Sequence, residues 1–109
     1  MRNPTMREAA PPPQIHITVE DDRIVYDTGF SVHARRGEII TWTCPFAFAI
    51  HFGDRTPLES YSSARAAEET VEARVRPNAG SGAYKYSVTV FNGQGAPLID
   101  DPEVYIDAF

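Results

Sequence analysis

From Gly80 to Phe91 the chain alternates with a period of two. After the turn Gly80-Ser81-Gly82, the residues Tyr84, Tyr86, Val88 and Val90 fall on one side, and Lys85, Ser87 and Thr89 on the other. A half-buried strand has this period, because successive side chains leave opposite faces of a sheet, and the segment reads as a central strand. The same alternation recurs upstream. Ile15, Ile17 and Val19 alternate with His16, Thr18 and Glu20, Asp21-Asp22 forms a turn, and Ile24-Val25-Tyr26 makes a second short strand. Phe30, Val32 and Ala34 alternate up to the turn Arg35-Arg36-Gly37. Ile40, Trp42 and Cys44 then share the face of a strand that Pro45 ends, since proline cannot donate to a ladder. Trp42 is expected to anchor the core. Phe46, Phe48, Ile50 and Phe52 alternate with Ala47, Ala49 and His51, Val71, Ala73 and Val75 alternate with charged residues, and Val104-Tyr105-Ile106 closes the series.

Short strands at this spacing with so little between them argue for an all-β sandwich or barrel. Helix is plausible in one place, Leu58 to Glu69. There Ser62 or Ser63 could cap Ala64-Arg65-Ala66-Ala67-Glu68-Glu69, a run of strong helix formers one or two turns long. Before Gln14 no period exists. Residues 1–14 end in Ala9-Ala10-Pro11-Pro12-Pro13 and read as a disordered proline-rich tail, with the sandwich spanning 15–109. The three prolines would also suit an aromatic-lined groove, although a plain linker accounts for them.

Composition narrows the function classes. The 109 residues suffice for one core without disulfides or a structural metal. The charge of -5, with 10 Lys and Arg against 15 Asp and Glu, lacks the basic footprint of a nucleic-acid or anionic-membrane binder. No apolar run approaches the ~20 residues of a spanning helix. The charged start Met1-Arg2-Asn3-Pro4 has no secretory apolar stretch, so a cytoplasmic home is expected. A single cysteine, Cys44, fits a reducing compartment and precludes multi-cysteine metal motifs.

Three pieces in this order resemble the cupredoxins, β-sandwich proteins best known as blue-copper electron carriers: Gly37-Glu38-Ile39-Ile40-Thr41-Trp42, Phe48-Ala49-Ile50-His51-Phe52 and Gly82-Ala83-Tyr84-Lys85-Tyr86-Ser87-Val88. The resemblance implies a Greek-key β-sandwich of about seven or eight strands, plus one short helix or helical turn. An immunoglobulin-like domain is the competing topology, in which Trp42 and Tyr86 would still be core anchors. The family's copper site takes two imidazoles, a thiolate and usually a weak axial thioether. By the same resemblance those positions fall on Phe48, Phe91, Val88 and a place near Ala96. All four are apolar, so the likeness implies the fold and removes the redox function.

The remaining candidates for chemistry are weak. His16, His33, His51 and Cys44 supply ligand types for zinc or copper, but no pair has a recognised short spacing and each histidine sits at a polar-face position. A non-standard His/Cys metal site is the alternative function. Cys44 is expected beside Trp42 as a small hydrophobe, and no Ser-His-Asp or Cys-His set stands out, so no enzyme is expected. The acidic residues Asp100, Asp101, Glu103 and Asp107 match no calcium loop and read as a solvated rim. What is left is an apolar loop end of Phe46, Phe48, Phe91, Ala96, Pro97 and Leu98, which either plugs the vacated pocket or stays exposed as a contact patch. The leading expectation is a metal-free, cofactor-free binding or assembly module. It would engage a protein partner, or further copies of itself, through Phe46, Phe48, Phe91, Pro97 and Leu98.

Overall fold

The computed structural model describes residues 11–108, and the first ten residues of the expected tail lie outside it. The chain forms β1 (Gln14–Glu20), β2 (Arg23–Tyr26), β3 (Ser31–Ala34), β4 (Ile39–Thr43), β5 (Ala47–His51), β6 (Ser62–Arg65), β7 (Thr70–Arg74), β8 (Gly82–Lys85), β9 (Ser87–Phe91), β10 (Leu98–Asp100) and β11 (Glu103–Ile106). One layer is the sheet β2-β1-β4-β7; opposite it lie β10-β9-β5-β6 and β3-β11-β8.

The first layer begins with a hairpin. Asp21 and Asp22 both take positive φ, 52° and 61°, the left-handed pair that matches a two-residue turn to the twist of its strands. β1 pairs β2 antiparallel and β4 in parallel, Ile15 opposite Trp42. β7 completes the layer with Val71 opposite Trp42.

The second layer is organised by one long hairpin. Leu98 faces Val90 and Asp100 faces Val88, while Glu103 faces Lys85 and Ile106 faces Gly82, so β10 and β11 follow β9 and β8 with a constant offset. The ladder breaks only at the centre. There the Tyr86 amide donates to the Pro102 carbonyl at 3.1 Å, and Pro102 has no N–H to return the bond. The run Gly82 to Phe91 thus occupies the middle of the layer, as its period demands, and it divides its pairing: β8 borders β11, and β9 lies between β10 and β5.

The inward residues of both layers form one core that includes Ile15, Ile17, Ile40, Trp42, Phe48, Val71, Val88, Val90, Val104 and Ile106. At its centre the Phe52 and Tyr86 rings stack at 4.6 Å, and Trp42 meets each ring edge-on. The indole Nε1 donates to the Tyr86 hydroxyl at 3.1 Å, so the largest aromatic enters the core with its one polar atom satisfied.

The expected helix does not form among the described residues. Ser62–Arg65 is instead an edge strand, with Ala64 opposite Ala49 and Ser62 opposite His51. Glu68 follows at φ 65° in a turn closed by the Glu69 amide on the Ala66 carbonyl. Helix propensity is a weak prior that sheet pairing overrides. The eleven strands exceed the expected seven or eight because the break at Tyr86 divides Gly82–Phe91 into β8 and β9, and because β6 and β10 lie outside the expected strands.

Candidate functional site

The positions that the resemblance assigns to copper ligands do not converge. Phe48 and Val88 point inward and are buried at 1% and 0% exposure, Phe48 opposite Val90 and Val88 opposite Ile50. Phe91 lies an odd number of residues from Val88 on the same strand, so it emerges on the outer face, 49% exposed. Ala96 sits exposed in the loop between β9 and β10. Two apolar side chains inside the sheet, one outside it and one in a loop offer neither the soft donors nor the geometry of a copper ion.

The histidines and the cysteine are likewise dispersed. His16 Nδ1 lies 2.7 Å from the Thr43 hydroxyl. His33 Nδ1 is 2.8 Å from Asp107 Oδ1, with its ring against Tyr105 at 5.0 Å. His51 is exposed on β5, between Ser62 and Ser87. Cys44 is buried, and burial pushes its thiol pKa up, partly offset by a hydrogen bond with the Phe46 backbone. A buried, protonated thiol is a poor nucleophile and a poor ligand. Among the described residues no group of three or more His, Cys, Asp or Glu side chains could hold a metal ion. An open depression of about 410 Å³ between the β1–β2 turn and β10 is lined by Asp22, Arg23, Ile24, Val25, Leu98, Ile99 and Asp100, with no nucleophile beside a base.

The expected apolar end is redistributed by the pleat. Phe48 belongs to the core, and Phe46 and Leu98 pack half-buried against it. Phe91 and Pro97 remain exposed. Phe48 therefore supports this end from within and presents no contact surface of its own.

What the sequence reading missed is the company Phe91 keeps. On the outer face of β10-β9-β5-β6, one cross-strand row runs Ile99, Thr89, Ala49, Ala64. The next row toward the loop holds Phe91 beside Ala47, and the row on the other side holds Ser87, His51 and Ser62. Ile99 is 71% exposed, the highest among the large apolar side chains of the described residues. None of these nine side chains carries a formal charge with histidine neutral; the exposed Asp101, next after β10 and across from Ser87 by the hairpin's offset, is the charged group at their rim. The same layer changes character across the central break: Lys85, Glu103, Tyr105 and His33 occupy the outer positions of β8, β11 and β3, and Lys85 Nζ lies 4.6 Å above the Phe30 ring. The signal was available in the β5 run, whose polar side is Ala47, Ala49 and His51. A strand with no charge on either face reads as covered on both.

No family model matches the chain, and no curated protein matches it. Among solved structures it is similar to a proline-to-glycine mutant of amicyanin in its reduced Cu(I) form at pH 4. The TM-score is 0.53 at 13% sequence identity, covering 92% of this chain and 88% of that one. Amicyanin is a cupredoxin, and at this identity the likeness shows the fold alone: the chain is a cupredoxin-like β-sandwich.

Proposed function

We propose that this cupredoxin-like domain is a non-enzymatic, metal-free binding module whose contact surface is the outer face of β10-β9-β5-β6 and the adjoining Asn92–Pro97 loop. One observation carries the reading. Phe91 and Ile99 stand exposed, at 49% and 71%, on a sheet face where β10, β9, β5 and β6 place no charged side chain and Asp101 lies only at the rim. Large apolar groups gathered on a flat, uncharged face mark interaction sites, whereas single exposed apolar residues do not. The metal-free part rests on the apolar side chains at the four positions where the family would place ligands. The non-enzymatic part rests on the scatter of His16, His33, His51 and Cys44.

The test compares wild type with Phe91→Asp and, as a control off this face, Tyr61→Asp, whose side chain is 56% exposed. Association is read by light scattering of purified protein and by capture from the native host's extract, identified by mass spectrometry. Phe91→Asp is expected to abolish the association at unchanged thermal stability, and Tyr61→Asp to retain it. Equal association in all three overturns the contact surface. Stoichiometric copper or zinc in tag-free protein, lost on changing His33 and His51 to Ala, overturns the metal-free reading.

A further inference from the structure

The register of the uncharged face points to its occupant: a second copy of this chain, packed face to face about a two-fold axis that runs along the strands between β9 and β5. The inference rests on the contact surface proposed above and follows from how large and small side chains are distributed over it. A two-fold contact must be self-complementary, so whatever lies at a given distance on one side of the axis meets what lies at that distance on the other. An axis between β9 and β5 lays β9 of one copy over β5 of the second, and β10 over β6. Each cross-strand row is then read against itself in reverse.

In the row nearest the loop, Phe91 meets Ala47 of the second copy. In the middle row Thr89 meets Ala49, and Ile99 meets Ala64. In the last row Ser87 meets His51. Each apolar projection on the β9-β10 half finds an alanine on the β5-β6 half, and the last pair matches a hydroxyl with an imidazole. Two like-twisted sheets stacked about 10 Å apart interdigitate in this way in sandwich cores, with protrusions on one face entering gaps on the other.

Charge supports the same choice. Two copies at -5 each repel, so a self-contact is most favourable where no charged group is brought close or stripped of water. The β10-β9-β5-β6 face comes close to that condition, with Asp101 at its rim, and the outer face of the first layer does not: Arg23, Glu20, Glu72 and Arg74 lie on its strands, all exposed. Area sets the strength. Four strands about 4.8 Å apart and three rows about 6.8 Å apart cover roughly 400 Å² per copy, about half of a standard stable interface. The dimer is accordingly weak and reversible, forming between about 10 µM and about 1 mM.

Sedimentation equilibrium on the full chain across that range tests the pairing, with near-ultraviolet circular dichroism verifying the fold of each variant. Ile99→Lys and Ala64→Asp, each placing a charge against an apolar partner, should weaken the wild-type dimer about tenfold or more. The double variant carrying both changes should dimerise more strongly than either single variant, because each lysine then meets an aspartate across the axis. Thr89→Arg, beside the axis, should dissociate the dimer independently. A wild type that stays monomeric at about 1 mM overturns the self-pairing, and Phe91-dependent capture from extract would then still uphold the binding reading. A dimer indifferent to all these charges also overturns the self-pairing, and loss of Phe91-dependent capture is what overturns the binding reading. A double variant no better than the singles overturns the two-fold register.

Discussion

Deleting one hydroxyl at Tyr86 tests whether the two layers are joined as described. Tyr86 is 3% exposed and Trp42 is 0% exposed, and the indole N–H finds its partner in the Tyr86 oxygen at 3.1 Å. In Tyr86→Phe the ring stays stacked on Phe52, but a buried donor loses its acceptor. Leaving such a group unpaired costs about 1–3 kcal/mol. For a domain of this length the unfolding entropy near the midpoint is about 0.2 kcal/mol per degree, so the melting temperature should fall by about 4–13 °C. Tyr84→Phe is the internal control: its hydroxyl donates to the exposed Gly80 carbonyl at 2.7 Å. Water can replace that bond, and the cost should stay below about 1 kcal/mol. Both variants are compared with wild type by urea and thermal unfolding. A wild-type unfolding midpoint for Tyr86→Phe, or greater damage from Tyr84→Phe, would refute the bond between the layers.

Two further outcomes follow from the same core. Phe48→Ala, removing a ring at 1% exposure, should cost about 3–5 kcal/mol, a large share of the ~5–15 kcal/mol typical of a domain; a urea midpoint close to wild type would place Phe48 outside the core. Alkaline pH should also destabilise the fold through Tyr86, whose pKa is raised to about 12 by burial, against the lowering effect of the Trp42 hydrogen bond and with a further push from Asp100. Below the unfolded value of about 10 both states hold the proton. Between about 10 and 12 the unfolded chain releases it first, and stability falls by roughly 2–3 kcal/mol from this group. Tyr26, raised by burial and then by its bond to Asp100, adds to the loss. Urea midpoints measured from pH 8 to 11 should therefore fall less in Tyr86→Phe than in wild type, and parallel profiles would refute the assignment.

Much of the fold is legible because period-two alternation is a backbone property. Ile15 and Ile17, Ile40 and Trp42, Phe48 and Ile50, and Val88 and Val90 are read correctly as inward pairs, and all are buried. The failures have local causes. Ser62–Arg65 reads as helix because Ser, Ala and Arg carry no strand preference, and its pairing with β5 is a long-range fact that a window on the sequence does not contain. Leu98–Asp100 is too short to show a period, so Ile99 is lost among turn residues although it is the most exposed large apolar side chain of the described residues. The residues of the expected apolar end are partly exposed and partly buried, and one rule separates them. Proximity along the chain suggests one cluster in space, whereas the pleat sends Phe48 and Leu98 toward the core side of their strands and Phe91 away from it.

That same rule bears on what the domain can become. Ser87–Phe91 is paired on both sides, by β5 and by β10, so its backbone N–H and C=O groups are held in ladders along the strand. Residues three apart on such a strand leave opposite faces of the sheet. Val88 and Phe91 are therefore fixed on opposite sides, one in the core and one in solvent, whatever side chains they carry. Placing a cysteine at 88 and a histidine at 91 would supply the right donor atoms and still not bring them to one ion; the loop would have to begin before residue 91, freeing it from the strand. The proposed pairing through Phe91 and the proposed lack of a metal site would thus share a single cause. The strand runs on to the point where Phe91 joins β5 and β10, and the extension that spoils a coordination site is what builds a flat face with two large apolar side chains on it.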